Sequence, residues 1–191
     1  MRTTLLLLSF CLLAPLATAQ DDDASAAMMA AMQANMTPDE NHEFLQAFAG
    51  DWTYTSTVWM TPDAPPMESD GTATIEMTLG GRFLMGTHTG TMMDMPFEGR
   101  ATTGYDKASG KYLATWIDTM GTAITMYEGR VEDGKLILEA DYPDPMTGSM
   151  DHHRMVQWVD GDDAHVMEYY VTSAGAEETL VMRMNYTRAG E

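Results

Sequence analysis

From Asp51 to Arg188 the chain keeps a two-residue rhythm, interrupted only by turn residues. This constrains the fold more than any other feature. Alternate side chains of a strand point to opposite faces, whereas a helical face recurs every ~3.6 residues. Tyr54, Ser56 and Val58 alternate with Thr53, Thr55, Thr57 and Trp59. Ala73, Ile75, Met77 and Leu79 alternate with Thr72, Thr74, Glu76 and Thr78. Gly80-Gly81 reads as a two-residue hairpin turn, with Phe83, Met85 and Thr87 on the return strand. Further strands are expected at Phe97–Tyr105, Lys111–Thr119, Thr122–Val131, Lys135–Tyr142, Ser149–Val159, His165–Ser173 and Thr179–Arg188. Turn residues separate them, such as Asp133-Gly134 and the Pro143–Gly148 loop.

No helical pattern of useful length interrupts this series, so parallel βαβ units are excluded. The fold class is all-β: an antiparallel meander of about ten strands. A meander of that length must manage its edges, and closing into a barrel removes them. The alternative is an open or two-sheet sandwich.

The residues ahead of the meander divide in two. Arg2, the apolar run Leu5 to Leu16 and the small-residue site Ala17-Thr18-Ala19 read as a secretory signal peptide over 1–19, cleaved after Ala19. The run is too short for a membrane span. The expected location is therefore secreted or periplasmic, with no membrane attachment once the signal is removed. Cys11, the single cysteine, falls inside the signal, so the exported chain cannot carry a disulfide, a catalytic thiol or a Cys-ligated zinc. Residues 20–36 form an acidic, Ala- and Met-rich leader. There Met28, Met32 and Met36 recur on one helical face. Thr37-Pro38-Asp39-Glu40 reads as a helix start with Thr37 as cap and Glu40 completing a capping box. Phe44, Leu45 and Phe48 give this short N-terminal helix an apolar stripe. Residues 37–190 are expected to form a single domain.

Charge removes whole classes of partner. With 10 Lys+Arg against 29 Asp+Glu, the net charge is −19. Such a chain has no basic stripe for nucleic acid and is repelled by anionic lipid surfaces.

Two features sharpen the barrel reading. Gly50-Asp51-Trp52 stands at the entry to the first strand, and Arg188 ends the last. Such a Gly-x-Trp and closing base resemble lipocalin-like (calycin-like) barrels. The resemblance implies that the Trp52 indole packs under the Arg188 side chain and plugs the barrel floor, a cation–π contact worth ~0.5–2 kcal/mol. The order of motifs is more specific: Met36-x-Pro38-x-x-x-His42-x-x-Leu45, Gly50-Asp51-Trp52, Gly80-Gly81-Arg82-Phe83-Leu84, Pro96-Phe97-Glu98-Gly99, Gly104-Tyr105-Asp106, Trp116-Ile117-Asp118 and Asn185-Tyr186-Thr187-Arg188. Over residues 36–188 this is similar to the bacterial family catalogued as domain of unknown function 1579. The resemblance implies a lipocalin-like fold and carries over no catalytic residue and no cofactor.

Chemistry is sparsely signalled. No nucleophile elbow, metalloprotease helix motif or phosphate loop is present. Asp160-Gly161-Asp162-Asp163 lacks calcium-loop spacing. His152 and His153, adjacent on a strand, must face opposite ways, so only one of them could join His88 or His165 inside a barrel. No resident metal is expected. Past residue 19 the chain holds 19 Met, against seven Leu, four Ile and seven Val, so Met has displaced the usual core aliphatics. Met77, Met85, Met126, Met155, Met167, Met182 and Met184 alternate as a soft core would. Met92-Met93-Asp94-Met95 falls in a strand connection and suits a lid over a barrel mouth. Arg82, Arg100, Arg130, Arg154 and Arg183 lie in strand regions, where one or two could enter the cavity. Tyr105, Trp116, Arg154, Trp158 and Met93 are the candidate ligand contacts.

Three functions follow. The first is an exported barrel binding one small apolar or amphipathic molecule. The second is a Met-rich copper-binding or redox-buffering protein, since thioethers suit Cu(I). The third is an enzyme with an uncharacterised cavity site built from carboxylates and Tyr105 or His.

Overall fold

The computed structural model describes residues 18–61 and 64–190. All but the last two positions of the expected signal peptide lie outside the described residues. The chain divides between Thr37 and Pro38 into two units. The first contains helix α1 (Thr18–Met36), whose Met28, Met29, Met32 and Met36 are exposed. No helix among the described residues is long and apolar enough to cross a membrane.

The second unit opens with helix α2 (Glu40–Gln46). Its cap is Asp39 rather than Thr37, whose hydroxyl turns back to the Gln33 carbonyl (2.8 Å). Asp39 Oδ1 accepts from the Asn41 amide, and the Asp39 amide donates to His42 Nδ1, both at 3.1 Å. His42 thus fills the place in the capping box expected of Glu40, two residues further on. A buried imidazole can reach back to the cap while its other edge packs on Tyr105.

Ten strands follow: β1 (Gly50–Val58), β2 (Met67–Thr78), β3 (Phe83–Met92), β4 (Met95–Asp106), β5 (Lys111–Asp118), β6 (Thr125–Glu132), β7 (Lys135–Pro143), β8 (Met150–Val159), β9 (Ala164–Thr172) and β10 (Thr179–Arg188). Each pairs antiparallel with its neighbour, and β1 pairs with β10, so the sheet is a closed barrel. An even strand number makes the first and last strands run oppositely, so the closing ladder is antiparallel like the others. The sandwich alternative is excluded by that ladder, which runs from Trp52↔Arg188 to Val58↔Met182.

The hairpins differ from expectation in one place. Register Thr78↔Phe83 makes the β2–β3 connection four residues, Leu79 to Arg82, not two. Leu79, Gly80 and Gly81 all take positive φ, which carries Leu79 out of the core face and into solvent. The two-residue turns are Met93-Asp94 and Asp133-Gly134, with positive φ at both positions as twisted hairpins require.

Phase within each strand follows from the ladder. Trp52, Tyr54 and Ser56 point inward. So do Ala73 and Ile75, Tyr112 and Ala114, Leu136 and Leu138, and Met184 and Tyr186. One end of the barrel is stoppered by α2, whose Leu45 is 0% exposed, and by Phe48, which lies just past the helix and is buried in the core. Tyr112 Oη donates to the Asn41 carbonyl (3.1 Å), and Lys107 pairs with Asp39 (3.3 Å), fastening the helix to the strand ends.

At the same end Trp52 is 1% exposed and donates through Nε1 to the Phe48 carbonyl (3.1 Å). Arg188 lays its guanidinium 4.3 Å from the indole centroid and reaches Asp163 Oδ1 (3.2 Å) and the Asp162 carbonyl (3.1 Å). Gly50 sits at φ 153, where a Cβ would overlap the Arg188 guanidinium. Only glycine leaves room for this arrangement.

Candidate functional site

Inside the barrel lies a cavity of about 610 Å³. Its deep end is Phe48 of the stopper, with His165. Its mouth is at the opposite end, among the β3–β4 hairpin, the β5–β6 loop and the β7–β8 loop. The cavity exists because several inward positions are small: Gly86, Ala101, Ala114 and Ser56 line it where larger side chains would fill it.

Two polar groupings sit within this apolar wall. Near the floor, His165 is 2% exposed and stacks on Tyr186 (3.9 Å between centroids, 14° between planes), with the Trp52 edge at 4.6 Å. Neither of its ring nitrogens has a hydrogen-bond partner. Burial lowers its pKa to about 3, assisted by the charge of Arg188 and by His88. His88 lies between Tyr186 (6.0 Å) and Trp116 (5.5 Å), with Nδ1 unpartnered, and burial lowers its pKa to about 4. Both are neutral imidazoles at pH 7.

On the other wall, the Tyr169 hydroxyl meets Tyr142 Oη (2.7 Å), Tyr127 Oη (3.1 Å) and His153 Nδ1 (3.0 Å). Burial raises the pKa of all three phenols. They remain protonated and act as hydrogen-bonding groups, not as bases.

Among the described residues of the lining, the one acidic side chain is Asp118, at the mouth. Its Oδ2 accepts from Trp116 Nε1 (2.6 Å) and its Oδ1 from the Met120 amide (2.8 Å). Trp116 in turn stacks on Phe97 (6.3 Å, 23°) and covers Gly99, where a Cβ would overlap the indole.

The residues singled out in the sequence are not gathered in one place. Trp116 lines the cavity. Tyr105 does not: it packs on Tyr112 (4.9 Å) and His42 (5.9 Å) under the stopper. Arg154 and Trp158 are on the outer wall, because Met155 and Gln157 hold the inward phase of β8. Arg154 forms a two-pronged pair with Glu178 and lies over the Tyr170 ring (4.2 Å), and Lys135 covers Trp158 (4.3 Å).

The other arginines expected in strands are outside as well, and Arg82 falls in the β2–β3 turn rather than in a strand. Arg100 pairs with Glu98, Arg130 with Glu132 and Glu139, and Arg183 with Glu168, while Arg82 caps the Leu79 carbonyl. A guanidinium keeps water and a carboxylate there at far lower cost than in an apolar tube. Met93 occupies the tip of the β3–β4 hairpin, exposed, and its neighbour Met92 lines the cavity instead.

Met85 and Met126 also face outward, Met126 with 73% exposure. Met167 and Met184 are buried in the core. His152 and His153 do face opposite ways: His153 is buried, and His152 meets Asp141 on the surface (2.8 Å). Among the described residues, no group of three or more His, Cys, Asp or Glu is placed to hold a metal ion.

A closed ten-stranded antiparallel meander around an internal cavity open at one end defines the class of this protein: a closed β-barrel with an unfilled interior. Residues 37–188 match the model of the family described as "Protein of unknown function (DUF1579)", and the chain belongs to that family. No curated protein matches it. Among solved structures it is similar to Rv2717c from M. tuberculosis, at 15% identity and a TM-score of 0.57, covering 81% of this chain and 100% of the other. It is also similar to the S-type phycobiliprotein lyase CPES from Guillardia theta, at 12% identity and a TM-score of 0.52, covering 78% of this chain and 92% of the other. At these identities the likeness is one of fold.

Proposed function

We propose that this protein is an exported barrel that binds one small, mainly apolar molecule. The observation that carries the reading is the 610 Å³ cavity itself, open at one end, stoppered at the other and walled by apolar and aromatic side chains. That volume is within the range of small-ligand sites. The unpartnered His88 and His165 nitrogens supply polar points that a bound molecule can satisfy. Export rests on the sequence of residues 1–19.

Titration with the neutral fluorescent probe N-phenyl-1-naphthylamine tests the reading. One saturable site is expected, with binding weakened at least ~10-fold in Ala114→Trp, whose new indole occupies the cavity. Ala101→Leu, a milder filling, should fall between the two. Circular dichroism verifies that both variants are folded. No saturable binding, or equal binding by all three proteins, overturns the proposal.

A second reading, soft-metal binding, is favoured by one observation. Met60, Met67, Met92 and Met93 line a separate recess beside the mouth, with Glu68 and Asp94. Thioethers select Cu(I). Under competition with a Cu(I) chelator, the Met92→Leu/Met93→Leu double variant should lose affinity. Unchanged binding, or none in the parent, removes this reading.

A further inference from the structure

The charge pattern of the cavity narrows the ligand class, given the reading above that the cavity is a ligand site. Among the described residues that line it there is no lysine or arginine. Arg100, Arg130, Arg154 and Arg183 lie on the outer wall, Arg82 sits in the β2–β3 turn, and His88 and His165 are buried imidazoles held neutral by burial. An anionic head drawn into this site would lose hydration and meet no basic side chain among the described lining residues.

The opposite holds for a cation. Asp118 is a carboxylate at the mouth, and its orientation is fixed by the Trp116 indole and the Met120 amide. Each of its oxygens keeps a lone pair for a further donor or cation. Beside it stands the stacked Trp116–Phe97 pair, and aromatic rings attract ammonium groups. Gly99 leaves room for this ring, since a Cβ there would overlap the six-membered edge of the indole. His88, 7% exposed, faces Trp116 from the same cavity and keeps an unpartnered Nδ1. The net charge of −19 adds a long-range field of the same sign preference.

We propose that the cavity binds a cationic amphiphile, its apolar body inside the barrel and its amine or quaternary ammonium head at Asp118 and Trp116. The head then stays at the mouth, partly hydrated, while the body displaces solvent from the apolar wall. The low cost of leaving a cation near water, with a fixed carboxylate beside it, sets this site apart from one built for fatty acids.

The experiment displaces bound N-phenyl-1-naphthylamine with three molecules of one chain length: dodecyltrimethylammonium, dodecanol and dodecanoate. It is run at neutral pH, below micelle formation, in about 0.15 M salt, so that charges beyond ~8 Å are screened. The ammonium should bind roughly 10-fold more tightly than the alcohol, and the carboxylate at least that much more weakly than the alcohol.

Asp118→Asn keeps an oxygen for the Trp116 indole and removes the charge. It should bring the ammonium-to-alcohol ratio close to unity while alcohol binding persists. Asp133→Asn, an equal loss of charge on the β6–β7 turn, should leave the ratio unchanged. Carboxylate binding as tight as ammonium, or a ratio that Asp118→Asn does not move, overturns the proposal while the cavity reading stands. Absence of saturable probe binding defeats the cavity reading, and this inference with it.

Discussion

His165 and His88 should make this barrel sensitive to mild acid, and the size of the effect can be worked from their surroundings. In the unfolded chain an imidazole takes up its proton near pH ~6.5. In the folded chain burial postpones that step to about 3 for His165 and about 4 for His88. Between those limits the unfolded state binds more protons than the native state, so stability rises with pH. The contribution is complete above the unfolded value and is lost as pH falls below it toward the folded values.

At pH ~5 each histidine lies about 1.5 units below its unfolded pKa and is still neutral in the barrel, which costs roughly 2 kcal/mol apiece relative to pH ~8. Phenylalanine at position 165 keeps the stack on Tyr186 and cannot titrate. His165→Phe should therefore lose about 2 kcal/mol less than the parent between pH ~8 and pH ~5. Urea unfolding followed by tryptophan fluorescence at both pH values measures this. Comparing variant with parent cancels the carboxylates, which titrate alike in both. Equal acid losses in the two proteins would refute the reasoning, because they would mean that the imidazole is not held neutral by burial.

Two further outcomes follow from the closed end. Leu45→Ala removes a fully buried anchor of the α2 stopper and should cost ~2–5 kcal/mol in urea unfolding; a loss under ~1 kcal/mol would show that α2 is not part of the cooperative unit. Gly50→Ala forces a Cβ against the Arg188 guanidinium at φ 153, so it should cost ~1–3 kcal/mol and shift the Trp52 emission. Arg188→Ala should cost ~0.5–2 kcal/mol, and adding it to Gly50→Ala should cost less than the sum, since the obstructing group is then absent.

The strand series was legible because turns and alternation are local. Expected boundaries fall within a few residues of β1 to β10, and the first-strand phase through Trp52 and Tyr54 is correct. Facing was harder where inward residues are small or polar. In β3 the apolar-looking set Phe83 and Met85 is outside, while Leu84, Gly86 and His88 are inside. In β8, Trp158 and Arg154 are outside, and Asp151 and His153 are inside. A barrel that keeps a cavity places glycine, alanine and histidine where a filled core would place leucine, so hydrophobicity alone misleads.

A cross-strand argument could have corrected both strands. With Trp52 inward, register carried through Ala73 fixes His88 inward as well. The Tyr127, Tyr142 and Tyr169 cluster had no sequence signal, because its members come from three strands and meet only after closure.

The ladder that seals the barrel also sets the order in which the domain can form. Thr53 Oγ1 donates to the Thr187 carbonyl across 134 positions of chain. Until the tenth strand is present, the ribbon has two unsatisfied margins and nothing to hold its ends together. Contacts so distant in sequence slow folding. A nine-strand ribbon thus keeps two open edges of the kind that pair with other chains, and the β1–β10 ladder removes both at once.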